Sequence, residues 1–288
     1  MPILAFAAVL LAALTHATWN YFAKRAAGSR HFVWLYSVGS LALYAPVVVW
    51  IVIFHRPVFT STHWAALLAT GVLHLTYSLL LQAGYRISDL SLIYPIARGT
   101  GPLLAFVAAT VFLHEPANAL SVVGVLLIVT GILLVSGLTG SPHKAPRAGV
   151  AFGLIIGVFI AAYTINDGWA VKALFISPFI IDFAGNLFRT LVLAPLALRD
   201  RAALAREARE YRLPVAVVSV LGPLGYILVL FAMQVAPIGH VAPARELATL
   251  VGSYFGVKLL KERMTPQRVI GAVLIVAGVI GLAITRPA

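Results

Sequence analysis

The sequence predicts an all-α integral membrane protein: ten transmembrane helices built as two inverted five-helix repeats. Three observations predict it. Hydrophobic residues make up 61% of the chain and charged residues 10%, with a mean hydropathy of +0.98, whereas a soluble domain carries about 25% charged residues. Apolar runs of the roughly 20 residues that cross a bilayer recur from end to end. The stretch Tyr94–Leu134 also returns as Val241–Gly281 at an ungapped offset of 147 residues. That offset pairs Arg98 with Arg245, Glu115 with Glu262, Gly124 with Gly271 and Gly131 with Gly278. Apolar letters coincide by chance in any two greasy segments. An arginine, a glutamate and two glycines in one register do not, so the chain reads as an internal duplication.

The apolar runs place the first five spans at Ile3–Phe22, Phe32–Phe54, Trp64–Tyr85, Leu90–Leu113 and Leu120–Leu138. The second five fall at Gly149–Ala170, Ser177–Leu198, Val215–Gln234, Ile238–Leu260 and Val269–Ile284. None alternates apolar with polar, as barrel strands would, so each is read as a helix that satisfies its own backbone. Residues 1–140 form the first repeat, 141–148 a polar, proline-bearing hinge and 149–288 the second repeat. Five spans carry the chain across the bilayer, so the second repeat starts from the opposite face and is inverted.

Polar residues within the spans are the candidates for function. In the first span His16, Asn20 and Lys24 share one helix face, with Trp19 beside them. The second span holds Tyr44 and Pro46 and is assigned to the periphery. The third carries a stripe of His74, Tyr77, Ser78, Gln82 and Tyr85. The fourth holds Tyr94, Pro95, Arg98 and Pro102, where each proline frees a carbonyl one turn earlier. A charge as deep as Arg98 costs about 2.5–3.5 kcal/mol on insertion and needs an offsetting role. The fifth has Gly124 and Gly131 one heptad apart, repeated by Gly271 and Gly278 in the tenth, a smooth strip for close packing against each other or a second protomer.

In the second repeat the sixth span presents Tyr163, Asn166 and Asp167. The seventh presents Asp182, Asn186 and Arg189. The segment 199–212, RDRAALAREAREYR, reads as an interfacial amphipathic helix. The eighth span carries Gly222, Pro223, Gly225 and Tyr226, and the ninth Pro243, Arg245 and Glu246. Arg98, Arg189 and Arg245 therefore face Asp167, Asp182 and Glu246, three charges against three. One reading is three structural ion pairs. The other, favoured because ionisable groups inside spans mark pathways and relays, is that some of them open to substrate or to a proton.

Ten spans in two halves, a WN followed by lysine at the end of the first, and glutamate turns FLHEP and LLKER before a G-x6-G helix: with these features the chain resembles the EamA branch of the drug/metabolite transporter superfamily. The resemblance runs over nearly the whole chain, although HATWNYFAK departs from the more usual WG-x-N opening. It implies a cavity lined by the first, third, fourth, sixth, eighth and ninth spans, with the fifth packed on the tenth. It also implies export or exchange of small metabolites, amino acids among them.

The expectation is a secondary transporter of a small polar or zwitterionic, amino-acid-like metabolite, an exporter or exchanger working by alternating access. Substrate-binding candidates are His16, Trp19, Asn20, His74, Tyr77, Ser78, Tyr94, Arg98, Tyr163, Asn166, Tyr226 and Arg245. Proton-coupling candidates are Asp167, Asp182 and Glu246, with His16 and His74 as further carriers. The alternative is an intramembrane lipid-modifying enzyme, which would want a tight catalytic cluster in one half; the polar residues are instead spread over both. The chain has no cysteine and no GxxxxGK[ST] loop, so neither a thiolate metal site nor a bound nucleotide is expected, and no cofactor is assigned. The expected partners are the substrate, the bilayer, and protons or a counter-substrate, with the chain a monomer or homodimer.

The formal charge of +12 is read as basic loops at a membrane surface rather than as a nucleic-acid site. Loops after odd-numbered spans hold 15 of the 21 Lys and Arg, and loops after even-numbered spans with the C-terminal tail hold three. Basic short loops stay in the cytoplasm. Both termini are therefore expected to face outward, from a bacterial cytoplasmic (inner) membrane.

Overall fold

The computed structural model describes residues 1–26, 29, 31–87, 90–136, 147–251, 254 and 265–285. They form helices α1 (Ile3–Arg25), α2 (Phe32–His55), α3 (Ser61–Ile87), α4 (Leu90–Phe112), α5 (Ala119–Val135), α6 (Arg147–Lys172), α7 (Pro178–Ala197), α8 (Arg201–Glu210), α9 (Arg212–Val235), α10 (Ile238–Ala244) and α11 (Pro266–Ile284). Helical backbone also resumes over 247–251. Among the described residues eight helices are long and apolar enough to cross a membrane, and Ala119–Val135 is a shorter apolar helix. The chain is an all-α integral membrane protein, and apolar residues such as Ile53, Phe54 and Leu191 stand exposed on its rim.

Two readings of the elements change. The ninth span is not one continuous helix. α10 stops at Ala244, and Arg245 and Glu246 form a turn before helix resumes, because Pro243 lies inside the segment and removes a backbone donor. Residues 252–253 and 255–264, Glu262 among them, lie outside the described residues. So does the expected hinge up to residue 146, while Arg147 and Ala148 already belong to α6. The 199–212 segment resolves into α8, capped by Asp200 accepting from the Ala203 N–H, with Arg212 opening α9.

The duplication is visible in the packing. α5 and α11 meet along the two glycine pairs: a Cβ on Gly131 would sit 2.6 Å from the Gly271 carbonyl oxygen, and one on Gly124 would sit 3.0 Å from that of Gly278. Gly124 therefore lies against Gly278 and Gly131 against Gly271, so the helices run antiparallel. Because Gly124 is the repeat mate of Gly271, and Gly131 of Gly278, the two-fold axis between them is perpendicular to helices that cross the bilayer. It lies in the membrane plane. Three further contacts obey the same axis: α1 packs on α9 as α3 packs on α6, and α2 packs on α7. Even the caps correspond, since Asn118 opens α5 and Thr265, 147 residues later, opens α11.

The bundle has two ends. At one, the α4–α5 turn, the end of α6 and the α9–α10 turn converge on Glu115. Met1 and the end of α11 meet on that face, with the Met1 ammonium donating to the Ala283 carbonyl at 2.6 Å. At the other end α8 docks on the α1–α2 corner through Glu207. Its carboxylate accepts from the Ser29 hydroxyl and from the His31 backbone N–H at 3.1 Å, with His31 Nδ1 also at 3.1 Å. Burial would raise the Glu207 carboxyl, but the hydrogen bonds from Ser29 and His31 outweigh it and hold the group below the ordinary glutamate range. The clasp is therefore complete above that range, at neutral pH, and is lost only as acid protonates Glu207.

Candidate functional site

A cavity of about 500 Å³ runs from mid-bundle to the Glu207 end, where Ser29 and Ala26 form part of its wall. It is walled by α1, α3, α4, α6 and α9 and by the Arg245 turn, and also by α2 and α7. The peripheral assignment of the second span is thus corrected: Phe32, Val33 and Tyr36 face the cavity. A second hollow of about 500 Å³ lies at the Glu115 end between aromatic residues including Trp50, Phe59 and Phe175, and it holds none of the candidate residues.

The cavity gathers twelve of the fifteen candidates: His16, Trp19, Asn20, His74, Tyr77, Ser78, Tyr94, Arg98, Tyr163, Asp182, Tyr226 and Arg245. Asn166, Asp167 and Glu246 are not in the wall but stand behind it. Asn166 donates its amide to the Ala66 carbonyl at 3.1 Å, to Thr70 at 3.0 Å and to Asp167 at 2.9 Å. The structure does not describe the side chains of Gln82 and Tyr85.

Only one of the three arginine–carboxylate pairs is formed among the described residues. Arg98 Nε lies 3.0 Å from Glu246 Oε2, and both groups are buried. Asp167 pairs instead with a histidine. Its carboxylate, fully buried, accepts from Thr70 Oγ1 at 2.5 Å, from Asn166 at 2.9 Å and from the Tyr226 hydroxyl. Its fourth contact is His74 Nε2 at 2.9 Å. Four partners offset the removal of that carboxylate from water. His74 also stacks on Tyr163, with ring centroids 4.2 Å apart, so one side chain joins the hidden acid to the cavity wall. Asp182 is bonded to the Asn186 amide at 2.9 Å. Arg189 donates to the Tyr36 hydroxyl at 3.2 Å and lies over its ring. Arg245 donates to the Tyr163 hydroxyl at 3.2 Å.

Several of these residues were open to sequence reasoning and missed. Thr70 sits one helical turn before His74 and extends the third-span stripe at i, i−4. Tyr36 shares its helix with Ser37 and Ser40, small polar residues that mark an inward face. Asn20 and Asp167 are themselves repeat mates at the offset of 147, as are His16 and Tyr163, so equivalent positions of α1 and α6 carry different chemistry.

Opposite the cavity mouth the bundle is tied shut. Glu115 accepts from the backbone N–H groups of Ile238 and Gly239, each at 2.9 Å, and pairs with Lys172 Nζ at 2.7 Å. Lys172 also donates to the Ala236 carbonyl at 3.2 Å. His114, with φ 53°, turns the chain sharply out of α4 and aims Glu115 at this junction.

A polytopic helical protein with two inverted repeats and a charged, aromatic cavity between them has the build of a membrane transporter. The chain belongs to the EamA-like transporter family, whose model matches residues 3–137 and again 147–284, once in each repeat. No curated protein matches the sequence. A crystal structure of another protein shares the fold with a TM-score of 0.75, covering 98% of this chain and 97% of that one at 15% identity.

Proposed function

We propose that this transporter moves a small polar or zwitterionic, amino-acid-like metabolite out of the cell, by export or exchange, through secondary alternating access. One observation carries the reading: the cavity between the repeats reaches the Glu207 end, while Glu115 ties the other end shut. Ten spans, counting the broken ninth, and the division at 1–140 and 149–288 give two bodies that rock about the in-plane axis. The cavity residues are the substrate contacts in this reading. Asp167 with His74 forms the proton-carrying pair, since His74 meets both the cavity and the buried acid; Asp182 and Glu246 are the other proton-coupling candidates. The polar groups come from both repeats, which suits a carrier better than a lipid-modifying enzyme. Home is the bacterial inner membrane, with both termini outside and the arginine-rich α8 in the cytoplasm. A metabolite-loaded proteoliposome assay tests it: amino-acid-like solutes should leave faster than from protein-free vesicles and faster still under a proton gradient. Lipid turnover without solute movement would reverse the choice.

A further inference from the structure

We propose that Arg245 is the anchor for the substrate's carboxylate. The inference rests on the transporter reading and names its substrate class. Arg245 and Arg98 are repeat mates, yet their surroundings differ. Arg98 has Glu246 at 3.0 Å. The position equivalent to Glu246 in the first repeat is Gly99, so the duplication supplies no matching acid for Arg245. Among the described residues no carboxylate comes within 4 Å of its guanidinium; its hydrogen bond runs to a neutral phenol, Tyr163, at 3.2 Å.

The acids nearby are engaged elsewhere. Asp167 is held behind the wall by four partners, and Asp182 is bonded to Asn186. Arg245 also sits in the break between α10 and the helix that resumes at 247. Transporters place such discontinuities at substrate sites, because the unwound turn presents groups that a continuous helix would keep for itself. A planar guanidinium with free donors matches a carboxylate in two parallel hydrogen bonds. The walls beside it are aromatic: Tyr163 stacked on His74, Tyr77 edge-on to Tyr163 and Tyr94 beside Arg98.

The test uses benzoate, benzamide and benzylamine, three probes of nearly one shape and different charge, on the purified full chain in detergent. Thermal-shift and equilibrium-dialysis measurements should show binding of benzoate and none of benzamide or benzylamine. Arg245→Gln should abolish benzoate binding, and Arg245→Lys should keep part of it. Folding is controlled by the unliganded melting temperature. Arg245→Gln should melt close to the parent, since it gives up a hydrogen bond to Tyr163 and no close ion pair, whereas Arg98→Gln should melt lower by leaving Glu246 unpaired. Benzamide binding as well as benzoate, no benzoate binding by the parent, or undiminished binding by Arg245→Gln would each overturn the proposal. Benzoate binding with no solute movement in vesicles would keep the anchor and remove transport. Transport of cations alone, without benzoate binding, would do the opposite.

Discussion

Replacing Glu115 with alanine should open the end of the bundle that the structure shows closed. Two backbone N–H groups donate to this carboxylate at 2.9 Å, and hydrogen bonds to a charged group contribute about 1.5–3 kcal/mol each. Lys172 adds little, since its side chain is 37% exposed and solvent screens such pairs to about 1 kcal/mol or less. Water entering the broken junction resatisfies part of the loss, which leaves roughly 2–4 kcal/mol. That shifts the closed–open equilibrium by about 30- to 700-fold. Glu115→Gln should fall between, because one amide oxygen cannot serve both N–H groups as two carboxylate oxygens do. The chain has no cysteine, so a single reporter suffices. Ala109 is fully buried and packs against Gly239 at this junction. A membrane-impermeant maleimide should label Ala109→Cys slowly in the parent and much faster once Glu115→Ala is added. Unchanged labelling would show that Glu115 caps a turn and does not hold the face shut.

If Asp167 carries the coupling proton, Asp167→Asn should lose gradient-driven transport yet keep exchange of labelled for unlabelled substrate; equal loss of both would return Asp167 to a structural role. Gly131→Ala should lower the melting temperature, because its Cβ would lie 2.6 Å from a backbone oxygen and overpacking costs about 1–3 kcal/mol. Gly281→Ala, with its nearest neighbour at 3.8 Å, should leave stability unchanged, and equal effects at the two sites would contradict the antiparallel α5–α11 contact. For orientation, a C-terminal alkaline phosphatase fusion should be active and a green fluorescent protein fusion dark. The reverse pattern would place the arginine-rich loops outside, against the charge bias.

Much of this architecture can be read along the chain, because bilayer insertion is a local property. About twenty apolar residues form a helix wherever they fall, and a repeated register of Arg, Glu and Gly reports a duplication without any knowledge of contacts. Inversion follows from counting five spans, and the Gly124 and Gly131 strip already marked the helix that packs on its own mate. The candidate list was largely legible for the same reason: a polar side chain in a span must face away from lipid, so twelve of fifteen candidates share one cavity. Partnership was not legible. The three-against-three count allowed any pairing, and only packing of α3 and α9 against α6 decided that Asp167 meets His74, Thr70 and Tyr226 rather than an arginine. Only the turn at Arg245–Glu246 carried Glu246 to Arg98 and left Arg245 facing the cavity. Likewise Glu115 reads as an ordinary turn residue until α6 and α9 bring Lys172 and the start of α10 against it. That the chain is a bundle of apolar helices is written in local hydropathy. Which charge answers which is a matter of ångströms between distant segments, and that is decided by the tertiary fold alone.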